Sequence, residues 1–132
     1  MKIVNTRYSK KSEGHYSPGV IHNGTLYISG QLSIDPATNK NPSGDIVEET
    51  WQALNNLELV LKSAGITKNE VIQCRLYTPD VKYWDEINKV YSKFFGEHKP
   101  SRVVVPSNCL HSGCLVEIEA IAVCEVNEDE NK

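Results

Sequence analysis

Between Asp45 and Ala64, apolar side chains recur every three or four residues, at Val47, Trp51, Leu54, Leu57, Leu61 and Ala64. That spacing lines them along one face of an amphipathic helix. Gly65 follows as the left-handed residue that ends it. A second stripe of the same period, Trp84, Ile87, Tyr91 and Phe94, predicts a second helix, capped by Asp80 and closed by Gly96. Elsewhere the period falls to two. From Val71 to Thr78, Ile72, Cys74 and Leu76 alternate with Gln73, Arg75 and Tyr77, the pattern of a half-buried strand. Gly19–His22 and Thr25–Ser29 are β-rich runs on either side of Asn23-Gly24, two residues that tolerate positive φ, so they read as a hairpin. Lys2–Asn5 reads as a short strand, Thr6–Glu13 as a loop, and the turn-formers of residues 35–44 as a surface loop. Arg102–Val105 is β-rich and stopped by Pro106, and Cys114–Val126 is a long β-prone run without a breaker.

The resulting order is strand, hairpin, helix, strand, helix, strand, strand. Two similar strand-plus-helix halves, packed as one mixed sheet with both helices on one face, satisfy it, so a two-layer α+β sandwich is expected. Residues 127–132 read as a frayed polar tail beyond a single domain of residues 1–126. No internal repeat stands out. A chain of 132 residues buries about two-thirds of its unfolded surface and needs neither metal nor disulfides to hold a core.

With 39% hydrophobic and 23% charged residues, disordered and collagen-like classes are excluded. A net charge of −3 lacks the basic footprint of a phosphate-backbone binder, so no nucleic-acid partner is expected. No apolar run reaches the roughly 20 residues of a membrane span, and the amino terminus is polar; a cytoplasmic protein with no membrane partner is expected. Cys74, Cys109, Cys114 and Cys124 form no C-x-x-C pair, and His15, His22, His98 and His111 are scattered, so no metal site is expected.

Polar residues at three places conflict with their surroundings. The last predicted strand sets Leu115, Glu117, Glu119, Ile121 and Val123 on one face, so two carboxylates share it with three aliphatics. A desolvated carboxylate holds its proton to higher pH, which suits proton transfer near neutrality; a solvent-exposed face explains the pattern equally simply and is slightly favoured on pattern alone. Asn88 falls on or beside the apolar stripe of the second helix, where a buried amide needs partners, most often as a core asparagine tying the helix to a neighbouring strand. Arg102 opens a short apolar strand, where a guanidinium makes a fork for a carboxylate, unless it is merely exposed or pairs with a glutamate such as Glu117.

The segments Gly14-His15-Tyr16-Ser17, Ile28-Ser29-Gly30-Gln31-Leu32, Asp35-Pro36-Ala37-Thr38, Asn88-Lys89-Val90-Tyr91, Phe94 to Arg102, and Val116-Glu117-Ile118-Glu119-Ala120-Ile121-Ala122 occur in that order. On them the chain resembles the RidA/YjgF reactive intermediate deaminase family, from about residue 14 to residue 123. The resemblance implies the chorismate-mutase-like fold and a homotrimer with three clefts between subunits. It implies hydrolysis of 2-imino and 2-enamino acids, such as 2-aminoacrylate and its imine tautomer, to 2-oxo acids and ammonia, without a cofactor. Arg102 would bind the substrate carboxylate and Glu117 would hold and polarise the attacking water. Tyr16 would line the cleft, Gly30 would offer backbone contacts, and Asn88 would assist from the second helix. Val104 would line the pocket where many members carry a cysteine, and Pro18 stands where the family's Gly-Pro-Tyr-Ser-Gln ends in glutamine. The same resemblance allows a trimeric module that binds small carboxylates without turnover. An endoribonuclease or translation-inhibitor role, also attached to relatives, is opposed by the charge and by the lack of a basic stripe.

Overall fold

Asn23 and Gly24 both take positive φ, 50° and 75°, and fold β2 (Gly19–His22) back on β3 (Thr25–Leu32). The hairpin belongs to a six-stranded sheet in the computed structural model, which describes residues 1–9, 14–40 and 42–125. β1 (Lys2–Val4) pairs with β2. After α1 (Ile46–Ser63) the chain forms β4 (Val71–Thr78), α2 (Trp84–Phe95), β5 (Ser101–Pro106) and β6 (Glu117–Val123). β6 inserts between β3 and β4, antiparallel to both, while β4 and β5 run parallel. The order across the mixed sheet is therefore β1-β2-β3-β6-β4-β5, with both helices packed on one face, as the sequence pattern predicts. Among the described residues, no helix is long and apolar enough to cross a membrane. Val126 and the tail 127–132 lie outside the described residues, as do residues 10–13 and 41.

Local signals set the helix ends. The Asp45 carboxylate accepts the Glu48 N–H at 3.0 Å, and Gly65 takes a φ of 81° just past α1. Asp80 caps a 3-10 turn, Val81–Tyr83, that leads into α2, and Gly96 at φ 64° ends it. The buried face of α1 differs from the predicted stripe. Ala53, Leu54, Leu57, Val60 and Leu61 are buried, Val47 is exposed, and the polar Glu49 and Thr50 are inside. They are tolerated because they are paired. Glu49 accepts from Ser33 Oγ at 2.7 Å, the Leu115 N–H at 2.9 Å and the Gly44 N–H at 2.8 Å, and Thr50 Oγ1 donates to the Ile46 carbonyl at 2.7 Å.

Two strands depart from simple alternation. Ile72 is an extra residue opposite β6, so Val71 takes the buried slot and Ile72 is exposed instead of sharing the face of Cys74 and Leu76. The last strand begins at Glu117 rather than Cys114, because the Leu115 amide is engaged by Glu49 and its carbonyl accepts from Thr78 Oγ1 at 2.8 Å. Beneath the helices, Ile21, Leu26, Ile28, Cys74, Leu76, Ile118, Ala120 and Ala122 form the sheet's share of the core. Among the described residues, the opposite sheet face carries no helix, and Ile3, Tyr27, Val103 and Val123 are exposed on it.

Candidate active site

A β-bulge in β3 builds the first half of the site. Ile28 pairs with Ala120 and Gln31 with Ile118, so Ser29 and Gly30 together stand opposite the single Glu119. The bulge brings Gly30 against the Glu117 side chain, and a Cβ there would lie 2.9 Å from Oε2 and 3.0 Å from the carboxyl carbon. Glycine is what lets the carboxylate lie against the strand. The same segment aims Tyr16: the Ser29 N–H donates to the Pro18 carbonyl at 3.0 Å and Ser29 Oγ to the Ser17 carbonyl at 2.6 Å, which fastens the loop to β3. A Cβ on Gly14 would collide with the Tyr16 ring. Tyr16, Gly30, Tyr77, His111, Glu117 and Glu119 all face an open cavity of about 980 Å³.

Charge in this cavity is organised around Glu117. Partial burial, and then the neighbouring Glu119 charge, raise the Glu117 carboxyl above its ordinary pKa, while His111 acts in the opposite sense. The Tyr77 hydroxyl donates to the Glu119 carboxylate, and Arg75 approaches it at 3.9 Å. That bond to Glu119, aided by burial, raises the tyrosine's own pKa. A half-buried carboxyl of raised proton affinity, beside room for a small molecule, can take a proton from water and return it.

The second half of the site lies on the helix side of β5. Arg102 donates to Asn88 Oδ1 on α2 at 2.8 Å, and its guanidinium carbon lies 4.8 Å from the Tyr91 ring centre and 5.4 Å from that of Trp84. Two aromatic faces and one amide fix the plane of the fork. Arg102 makes no other hydrogen bond among the described residues, which leaves donors for a carboxylate. Cys74 pairs beside it, and burial pushes that thiol up to about 11, so it stays neutral. Val104 follows on the same face, half-buried against the core.

The two halves do not meet within one chain. Cys74 pairs with Arg102 and Leu76 with Val104 on the helix face, whereas Tyr77 pairs with Glu117 and Arg75 with Glu119 on the uncovered face. Tyr16, Gly30 and Glu117 are thus brought together, and Arg102, Asn88 and Val104 are brought together elsewhere. Sequence reasoning passed over His111 and Tyr77. Tyr77 was legible from alternation as a same-face residue of β4, but His111 sits in a 3-10 turn, His111–Gly113, that no periodicity marks. Among the described residues, no cluster of three or more His, Cys, Asp or Glu side chains is arranged to hold a metal.

The profile of the endoribonuclease L-PSP family matches residues 6–124. A RutC family protein of Pyrococcus horikoshii is 39% identical over 124 residues, which cover 94% of this chain and 98% of the relative. The 2-iminobutanoate/2-iminopropanoate deaminase of Capra hircus is 38% identical over 122 residues, 92% of this chain and 89% of the relative. The crystal structure of the YjgF gene product of E. coli superimposes with a TM-score of 0.87 at 27% identity, covering 95% of this chain and all of that one.

Proposed function

Given that the chain belongs to the RidA/YjgF family, whose profile carries the endoribonuclease L-PSP name, we propose that it is a hydrolytic deaminase of reactive enamines and imines, releasing 2-oxo acids and ammonia. The observation that carries this reading is Glu117, a half-buried carboxyl of raised proton affinity laid against Gly30 in an open cavity. An imine carbon is already electrophilic, so the protein has chiefly to orient it and deliver one water. Arg102 would grip the substrate carboxylate through two parallel N–H bonds. Glu117 would accept a proton as water forms the new C–O bond and the C=N electrons move to nitrogen. It would return that proton to the nitrogen to complete a carbinolamine, then pass the hydroxyl proton to the amine as the C–N bond breaks, the C=O bond forms and ammonia leaves. Such assistance is typically worth about 10²–10⁴-fold. Two glutamates facing the cavity also disfavour a phosphate-backbone substrate.

Since Arg102 and Glu117 lie on opposite faces of one sheet, a small imino acid reaches both only if a second copy supplies one of them. A closed homotrimer, with one cleft at each repeated contact, meets that need. The exposed Ile3, Tyr27, Val103 and Val123 on the uncovered sheet face are in keeping with contact between copies.

Complementation tests both parts. Arg102→Ala and Glu117→Gln are each expected to be inactive with a dehydratase that generates 2-aminoacrylate from serine. Unfolded and refolded together in equal amounts, they should recover about a quarter of wild-type pyruvate release, because a quarter of randomly assembled clefts pair two intact groups. No recovery, or a monomer by light scattering, would rule out the shared site; an inactive wild type would rule out the deaminase.

A further inference from the structure

We propose that Glu119, clamped by Tyr77 and Arg75, and His111 are positioning residues that act in opposite senses on the proton carried by Glu117. The inference rests on Glu117 being the acid–base group of the proposed deaminase. Glu117 and Glu119 project from the same face of β6, two residues apart, about 7 Å along the strand. Tyr77 stands directly across the ladder from Glu117, yet its hydroxyl donates to Glu119. Arg75 stands across from Glu119 and adds a positive charge at 3.9 Å. Both contacts are made to the Glu119 carboxylate, which stands beside Glu117 on the same face of the strand. Glu117 itself receives no such donor among the described residues, so it is the member of the pair that takes up the proton.

His111 enters the same cavity from the turn preceding β6, opposite in charge when protonated. Among the described residues, the other groups lining this cavity, Tyr8 included, carry no charged side chain. β3 contributes Gly30 and Leu32, and the amino-terminal loop contributes Tyr16. Among the described residues of one chain, the proton on Glu117 is therefore influenced by the Glu119 carboxylate and by His111, while a second copy's Arg102 faces the same cleft in the proposed assembly. Glu119 keeps Glu117 able to donate to the departing amine, and a protonated His111 favours its return to the base form.

The test reads the proton directly. Carboxyl carbon NMR of glutamate-labelled protein follows the Glu117 titration in wild type, Glu119→Gln, Tyr77→Phe and His111→Gln, beside pH profiles of kcat/KM for 2-aminoacrylate hydrolysis. Glu119→Gln should move the Glu117 midpoint to lower pH, Tyr77→Phe should move it the same way by less, and His111→Gln should move it to higher pH. On the acid limb, turnover normalised to each plateau should rise about threefold in Glu119→Gln, the Coulomb effect of a unit charge at that spacing even in water-like surroundings. It should fall in His111→Gln. A midpoint that stays fixed, or that moves the same way in Glu119→Gln and His111→Gln, overturns the inference. Opposite NMR shifts in a protein without deaminase turnover would instead remove the proposed function and leave the electrostatic coupling standing.

Discussion

Replacing Gly30 with alanine separates the site from the fold. The added Cβ would lie 2.9 Å from Glu117 Oε2, 3.0 Å from Cδ and 3.4 Å from Cγ. Ordinary van der Waals contact begins at 3.4 Å, so the carboxylate end must retreat by about half an ångström. A misplacement of 1 Å at a reacting group costs about 10²-fold. Half of that predicts a roughly tenfold loss of turnover. Stability should hardly change, because the atoms met are the far end of a flexible side chain facing an open cavity, and alanine loses less backbone entropy on folding than glycine. The assay is pyruvate release with 2-aminoacrylate generated from serine, beside thermal unfolding. The double variant with Glu117→Gln supplies the control: if Gly30 acts through Glu117, the double should be no slower than Glu117→Gln alone. Unchanged turnover in Gly30→Ala would show that the Glu117 carboxylate does not sit where the chemistry happens. A fall of more than about 5 °C in Tm would show that the glycine serves the sheet instead.

Arg102→Lys should raise KM by about tenfold or more while circular dichroism stays native, since a point-charge ammonium cannot reproduce the planar fork held by Asn88 and the two rings. Asn88→Ala should shift KM in the same direction by less. Glu117→Gln should lower turnover by about 10²–10⁴-fold while calorimetry still detects 2-oxo acid binding. Glu117 should also make the wild type's stability depend on pH. Because the folded carboxyl has a raised pKa, the native state binds more protons than the unfolded state between the two pKa values, and wild-type stability falls as pH rises through the folded one. The glutamine variant escapes that loss, so it should unfold at higher temperature than wild type at neutral pH, and the advantage should vanish below about pH 4. Leu57→Ala, at a fully buried position of α1, should cost about 2–5 kcal/mol in urea unfolding, with only secondary effects on the site.

Residues whose conformation is settled within a few positions were legible. Asn23-Gly24 specified a hairpin, Asp45 and Gly65 bracketed α1, and Gly96 closed α2, because caps and positive-φ turns draw on neighbouring backbone groups. Glu117, Asn88 and Arg102 also stood out, as polar side chains in apolar patterns. What the pattern could not supply was the register between distant strands. The bulge at Ile72 exposes a residue that alternation buries, and the bulge at Ser29-Gly30 sets a glycine against a carboxylate 87 positions away. Glu49 is buried only because Ser33, Gly44 and Leu115 converge on it from three segments. His111 joins Glu117 only because the turn before β6 closes over the same cavity. By itself, then, the sequence determined the elements and flagged the reactive side chains, since local torsional preference and hydrophobic period act along the chain. Which side chains face one another, and that the sheet parts Arg102 from Glu117, was decided by strand pairing, whose hydrogen bonds join residues that no local window contains.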